Sequence, residues 1–121
     1  MPVMHMLGSV TDTINTSFII ESECGLIVID GGFETEAENL YKHIKSLGKS
    51  VVAWFLTHPH SDHTDALREL LRCHSDEITP QKLYYNFPSA ELIDKYAPES
   101  PENGAWLKNS CPIWQSLKYP P

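Results

Sequence analysis

Residues 57–63 have the sequence Thr57-His58-Pro59-His60-Ser61-Asp62-His63, an H-x-H-x-D-H pattern of three imidazoles and one carboxylate. Imidazole and carboxylate groups together suit zinc, and they also suit iron or manganese. We therefore expect His58, His60, Asp62 and His63 to bind metal, and the rest of the chain to be arranged around them. The alternative interpretation is a polar turn whose imidazoles are only exposed to solvent.

The segments on either side of this cluster predict a strand before it and a helix after it. The run Val51–Leu56 is apolar and rich in β-branched and aromatic residues, which is typical of a buried parallel strand. Apolar residues downstream recur at helical spacing and predict a helix from roughly Thr64 to His74. The cluster is thus expected at the carboxyl end of a strand, where open α/β sheets place their sites.

The spacing inside the cluster also favours a site. His58 and His60 are two residues apart, so an extended backbone points both side chains the same way. Pro59 between them fixes one backbone dihedral and reduces the entropy lost in holding that geometry. Asp62 and His63 come at the start of the helix, whose dipole favours a carboxylate and would attract an anionic substrate.

The remaining elements predict an α/β domain with a mixed sheet. Further strands are expected at Val3–Leu7, Ser17–Ile20, Leu26–Ile29 and Lys82–Asn86, with a hairpin connection at Glu21–Gly25. A helix with an apolar stripe from Ala37 to Leu47 is expected to begin with a capping box of Thr35 and Glu38. The acidic residues Glu34, Glu36 and Glu38 are interpreted as the first turn of that helix.

Length, charge and cysteine content narrow the class of protein. The 121 residues suffice for one domain with a modest core, and the net charge of −7 argues against a general nucleic-acid-binding surface, while local contact with nucleic acid is left open. No apolar run approaches the roughly 20 residues that cross a bilayer, so no membrane partner is expected. Cys24, Cys73 and Cys111 are not closely spaced, which favours a cytoplasmic location and small, buried, reduced cysteines.

Two stretches resemble the metallo-β-lactamase-fold hydrolases. One is residues 57–63, followed by Ala66-Leu67, and the other is Leu26-Ile27-Val28-Ile29-Asp30-Gly31-Gly32, which is similar to the family's strand ending in an Asp-Gly turn. The resemblance covers about residues 3–86. It implies the amino-terminal half of the family's α/β-β/α sandwich, a mixed sheet with helices on one face. The chain 1–121 would be one partial domain, with the β/α half in 1–96 and a linker and terminal helical segment in 97–121.

The resemblance also implies roles for individual residues. His58 and His60 would bind one zinc ion, Asp62 and His63 would bind a second, and water activated by the metals would attack the substrate. Asp30 would support the ligands through hydrogen bonds from behind, and Thr57 would either do the same or simply end its strand. In a centre with one metal, Asp62 would be catalytic, because it would orient or deprotonate the water.

The family's domain continues past the point where this chain ends. Its second half supplies a further His, a metal-bridging Asp and a last His, none of which we find in this sequence. Of the other histidines, His74 is too far along its helix to reach the cluster. His43 is expected to be solvated, and His5 is the least favoured ligand. Half of the sandwich would expose the apolar inner face of its sheet, so a second copy, the missing carboxy-terminal half or a swapped segment is expected to cover it.

Two functions are consistent with these residues. The first is a metal-dependent hydrolase that uses zinc, or the metal-binding half of one, acting on a small-molecule or phosphodiester substrate. The resemblance does not fix the substrate, because the family hydrolyses lactams, thioesters, lactones and phosphodiesters. The second is a catalytically inactive remnant that keeps the fold and acts as a dimerisation or interaction module.

Overall fold

A five-stranded mixed sheet organises the part of the chain that the structure, a computed structural model, describes, namely residues 1–99. The strands are β1 (Val3–Met6), β2 (Ser17–Glu21), β3 (Leu26–Asp30), β4 (Val51–Leu56) and β5 (Leu83–Tyr85). The helices are α1 (Ala37–Leu47), α2 (Ser61–Cys73) and α3 (Ala90–Tyr96), and a 3-10 turn at Glu34–Glu36 precedes α1. The expected α/β class is therefore confirmed, and within residues 1–99 the predicted strands and helices differ from the observed ones only at their ends.

The sheet changes from antiparallel to parallel pairing at β3. Strands β1, β2 and β3 pair antiparallel in sequence order, and β3, β4 and β5 then pair parallel. The β2–β3 turn is tight, with the backbone N–H of Ser22 donating to the carbonyl of Gly25 at 2.9 Å. Helix α1 carries the chain back across the sheet, as parallel pairing requires. The carboxyl ends of β3 and β4 consequently lie side by side at one edge.

The core lies between one face of the sheet and the helices α1 and α2. Alternate strand residues such as Ile19, Val28 and Trp54 are fully buried on this face, where the apolar stripes of the helices cover them. The helices contribute Leu40, Ile44, Ala66, Leu67 and Leu70 to the same cluster. Burial of this cluster fixes the helices on one face of the sheet.

The start of α1 differs from the prediction. Thr35 lies inside the 3-10 turn, and the residue that precedes the helix is Glu36, with no side-chain capping hydrogen bond. The predicted capping box of Thr35 and Glu38 is therefore wrong. Of the three acidic residues interpreted as the first turn of this helix, Glu38 lies in that turn, whereas Glu34 and Glu36 lie in the 3-10 turn before it. Glu36 is buried and binds the loop at residues 9–11.

Helix α2 begins at Ser61, three residues before the predicted start at Thr64. The carbonyl of His60 accepts the backbone N–H groups of His63 and Thr64, and it also accepts the hydroxyl of Thr64. The apolar stripe begins only at Ala66, so periodicity alone did not reveal the polar first turn. Asp62 and His63 therefore lie inside the first turn of the helix.

Two expectations about burial are wrong, one for the cysteines and one for His43. Cys24 and Cys73 are exposed, because they lie in the β2–β3 turn and at the end of α2, and Cys111 lies outside the described residues. His43 is half-buried rather than solvated, with its ring 5.1 Å from that of His5 and its Nε2 atom buried. The predicted terminal helical segment also lies outside the residues that the structure describes.

None of the helices within residues 1–99 is long and apolar enough to cross a bilayer.

Candidate metal centre

The candidate site lies where β3 and β4 end side by side. Asp30 is the last residue of β3, Thr57 follows β4 directly, and α2 begins four residues later at Ser61. The register pairs Ile29 with Phe55, so the residues after them become neighbours although 27 positions separate Asp30 from Thr57. Parallel pairing thus brings the Asp-Gly turn to the histidine cluster.

Asp30 connects the two strand ends through its carboxylate, which is almost completely buried. Oδ1 accepts the backbone N–H of Thr57 at 2.8 Å, and Oδ2 accepts the hydroxyl of Thr57 at 2.8 Å. Oδ2 also lies 2.9 Å from Nδ1 of His63. The backbone of Asp30 is left-handed, with φ of 56°, which Asp tolerates better than most residues, and its carbonyl accepts Nε1–H of Trp54 at 2.9 Å. This residue therefore joins two strands and a helix.

The same hydrogen bonds assign the tautomers of two histidines. The single hydroxyl proton of Thr57 is donated to Asp30, so Oγ1 must accept from Nδ1 of His58, 3.0 Å away. Nδ1 of His63 likewise donates to the carboxylate of Asp30. In the neutral form of each imidazole, Nε2 then carries the lone pair that can bind a metal.

The three imidazoles of the cluster lie close together. The ring of His58 is 4.6 Å from that of His60 and 3.9 Å from that of His63, measured between centroids. Burial lowers the pKa of His58, and the neighbouring imidazoles of His63 and His60 lower it further by repelling a positive charge. These influences favour the neutral form of His58.

Asp62 adds a second carboxylate to this corner. Its Oδ2 atom lies 3.3 Å from Nε2 of His63. In the tautomer assigned above, both atoms donate electron pairs, so a proton or a metal cation between them would satisfy both. This arrangement fits a divalent metal in its donor chemistry, which is nitrogen from imidazole and oxygen from carboxylate.

The predicted ligands share one corner, but they do not converge on one point. Within residues 1–99, no three His, Cys, Asp or Glu side chains are arranged so that they hold a metal ion together. The structure brings His58, His60, Asp62 and His63 together, with Asp30 and Thr57 behind them. Their assignment as metal ligands stays a prediction.

The other histidines within residues 1–99 lie elsewhere. His74 stacks on Tyr41, with 3.8 Å between the ring centroids, and His5 contacts Glu21 through Nε2 at 2.9 Å. His43 packs against His5. None of these histidines contacts the cluster in the structure.

Sequence reasoning missed two residues that shape this corner. Thr64 is fully buried, and its hydroxyl donates to the carbonyl of His60 at 2.8 Å, which ties the cluster to the first turn of α2. A Thr four residues after a helix-preceding residue was the available signal for this bond. Trp54 was recognised only as part of an apolar run, although its indole N–H binds Asp30.

The chain was compared with curated proteins and with models of protein families. No curated protein matched the chain. The family model described as the metallo-beta-lactamase superfamily matches residues 10–106, which include both the Asp30 turn and the histidine cluster. The match covers most of the chain, and the fold agrees with half of that family's architecture. The chain therefore belongs to the metallo-β-lactamase superfamily.

Proposed function

We propose that this chain is a metal-dependent hydrolase or the metal-binding half of one. The observation that supports the proposal is the Asp30 network, which orients His58 and His63 through Nδ1 of each ring and leaves Nε2 of each pointing away from that network. A buried carboxylate that fixes the tautomer of a histidine is the usual support of a metal ligand. Membership of the superfamily points in the same direction, since its members typically bind metal ions.

The residues that would hold the metal are His58, His60, Asp62 and His63. Zinc suits this set best, and iron or manganese would also accept it. When bound, the metal would supply Lewis acidity and activate water for attack on a carbonyl or phosphoryl centre. If two ions bind, His58 and His60 supply only two ligands for the first, whereas a catalytic zinc usually has three protein ligands. Further ligands would then come from a carboxy-terminal half or from a second copy of the chain.

The remaining chemistry would come from the side chains at this corner. Asp30 would keep His63 in one tautomer, and Thr57 would do the same for His58. Asp62 would orient water and accept its proton at Oδ2. The amino terminus of α2 would favour an anionic substrate through its dipole, which is consistent with a phosphodiester or another small acidic molecule.

The experiment that tests the proposal measures zinc content and hydrolysis of generic ester and phosphodiester substrates by the 121-residue chain. His60→Ala should lower the zinc stoichiometry while leaving the oligomeric state unchanged. His74→Ala is the matched control, because His74 stacks on Tyr41 and makes no contact with the cluster. Unchanged zinc content in His60→Ala would show that the ligand assignment is wrong.

A second function, an inactive remnant that serves as an interaction module, is favoured by one observation. No three potential ligands within residues 1–99 converge on one point. A chain that binds no zinc and turns over no substrate would support this alternative. Tight zinc binding with turnover would exclude it.

We also propose that the protein acts in a reducing compartment such as the cytoplasm. Cys24 and Cys73 are both exposed free thiols, which persist best where glutathione keeps cysteines reduced.

A further inference from the structure

A second group of possible metal ligands lies away from the histidine cluster. It consists of His5 on β1, Glu21 on β2 and His43 on α1, named here the edge group. Glu21 ends β2, whereas Ser17 begins that strand and pairs with Asp30. The edge group therefore lies roughly 13 Å along the strand from the Asp30 turn, so the two groups cannot share one metal ion.

The sheet register brings His5 and Glu21 together. His5 pairs with Ile19, and Glu21 comes two residues later on the same face, so the two side chains are diagonal neighbours on adjacent strands. Nε2 of His5 lies 2.9 Å from Oε1 of Glu21, and only 25% and 23% of the two side chains is exposed. The hydrogen bonds with His5 and then with Lys49 lower the pKa of Glu21. Its carboxylate is therefore ionised at neutral pH, which is the form that binds metal.

His43 approaches this pair from α1. Its ring lies 5.1 Å from that of His5, at an angle of 69°. Its Nε2 atom is buried and has no hydrogen-bond partner within residues 1–99. A buried polar atom without a partner is unfavourable, and a bound water or ion is one way to satisfy it. Nε2 of His43 therefore needs a partner that this part of the chain does not supply.

We propose that the edge group binds one zinc ion through Nε2 of His5, Oε1 of Glu21 and Nε2 of His43. Two imidazoles on one tetrahedral zinc have ring centroids roughly 5.2 Å apart, because each coordinating nitrogen lies about 2.1 Å from the metal. The observed separation of 5.1 Å matches this spacing. Two ligand atoms on the same zinc lie roughly 3.3 Å apart, so the His5 and Glu21 atoms would move apart only slightly.

Zinc binding requires small movements of side chains. Like every other group of three within residues 1–99, the edge group does not converge on one point as its side chains stand. Rotation of the His43 or His5 ring into another staggered conformation would aim Nε2 at the metal. Lys49 would also have to leave Glu21, from whose Oε2 atom its Nζ lies 3.2 Å. The Lys49 side chain is 42% exposed, so its ammonium group can turn into solvent at little cost.

A zinc ion in the edge group would have a structural role. Strand β1 is an edge strand that pairs with β2 within residues 1–99, and three of its four residues are exposed. The ion would join this strand to α1, and water would fill its fourth coordination position. Because it binds only the folded arrangement, zinc would stabilise the attachment of β1.

Zinc titration of the 121-residue chain, followed through the histidine ring resonances in NMR spectra, tests the proposal. The rings of His5 and His43 should shift together, because both would bind the same ion. His43→Gln should remove one zinc ion per chain and abolish the shift of His5. His74→Gln is the matched control, because His74 stacks on Tyr41 outside the edge group. It should retain the zinc content of the parent chain and both shifts.

The outcome does not depend on the proposed hydrolase function. His60→Ala alters only the histidine cluster and should leave the shifts of His5 and His43 unchanged. Circular dichroism would check that each variant folds, and if His43→Gln does not, His5→Gln on the edge strand decides the question. Zinc that shifts neither ring, or only one of them, would overturn the proposal whether or not the cluster binds metal. A His43→Gln chain that keeps the parent zinc content and the His5 shift would overturn it as well.

Discussion

Asp30 holds His63 across the edge of the sheet, with 2.9 Å between Oδ2 of the carboxylate and Nδ1 of the imidazole. The same oxygen accepts the hydroxyl of Thr57, which in turn lies 3.0 Å from Nδ1 of His58. One buried carboxylate therefore orients two of the three clustered histidines. This dependence on a residue far away in sequence makes Asp30 the most informative position to change.

Replacing Asp30 with Asn should weaken zinc binding by about 10- to 100-fold, the usual effect of removing a carboxylate that supports a metal-binding histidine. Asn keeps the size of the side chain and tolerates the left-handed backbone. Its NH₂ group, however, would face N–H or O–H donors that hydrogen-bond to a carboxylate oxygen in the parent chain. Zinc titration monitored by competition with a chromogenic chelator measures the change.

The control for this substitution is Asp76→Asn, because Asp76 is exposed in the turn after α2. It should bind zinc as the parent chain does. An Asp30→Asn chain with unaltered zinc affinity would mean that the carboxylate orients the imidazoles without assisting a metal.

Glu36 should make the stability of the fold depend on pH in the acidic range. Burial is the largest single influence on its pKa and raises it. Hydrogen bonds from the hydroxyls of Ser9 and Thr11, at 2.6 and 2.7 Å, and from the N–H groups of Val10 and Thr11 together outweigh burial, so the pKa lies below its ordinary value of 4.5. The ionised carboxylate thus contributes stability above the unfolded pKa, and this contribution is lost as the pH falls through the folded pKa.

Glu36→Gln should lower the free energy of unfolding by about 1–3 kcal/mol near neutral pH, because the donors of residues 9–11 lose the charged acceptor that the buried Glu36 side chain provides. The difference from the parent chain should shrink below pH 4.5 as the parent carboxyl becomes protonated. Urea denaturation at several pH values measures both effects. Glu23→Gln, at an exposed position in the β2–β3 turn, serves as the control, and a gap that does not vary with pH would contradict the prediction.

Two glycines should differ in how well they tolerate alanine. Gly25 has φ of 137°, and a Cβ there would lie 2.6 Å from the backbone carbonyl oxygen of Ser50. Gly48 ends α1 with φ of 65°, and a Cβ there meets nothing within 4 Å. Both substitutions place alanine in a backbone conformation that it disfavours. Only Gly25→Ala also brings the new Cβ against the backbone next to β4.

Gly48→Ala should therefore cost about 1 kcal/mol of unfolding free energy, and Gly25→Ala about 2–4 kcal/mol, because the latter must also displace a backbone carbonyl. Chemical denaturation of the two variants side by side measures the difference. Equal losses would mean that the β2–β3 turn can shift away from β4 at little cost.

The fold was predictable from sequence where the local pattern was strong. The apolar run Val51–Leu56 gave β4 with both ends correct, and the stripe from Ala37 to Leu47 gave α1. The structure just before α1 was not predictable, because Glu36 binds a loop some 26 residues earlier in the chain. A local capping rule cannot anticipate a partner that only the folded chain brings into contact.

The candidate site shows the same division between local and distant contacts. The proximity of His58, His60 and His63 followed from their spacing in one turn, and the resemblance supplied Asp30. The tautomers did not follow, because they depend on hydrogen bonds that form only when β3 and β4 align. The half-buried His43 was also missed, since its neighbour His5 lies on an edge strand at the other end of the sequence.

The long sequence separation between Asp30 and Thr57 has a consequence for the order of events during folding. In a chain that has formed only β4 and α2, the histidines would lack a fixed orientation, because the hydrogen bonds of Asp30 form only when β3 pairs with β4. Non-local pairing of this kind closes a large loop and tends to form slowly. If the chain binds metal as proposed, metal uptake would therefore follow, rather than guide, assembly of the sheet.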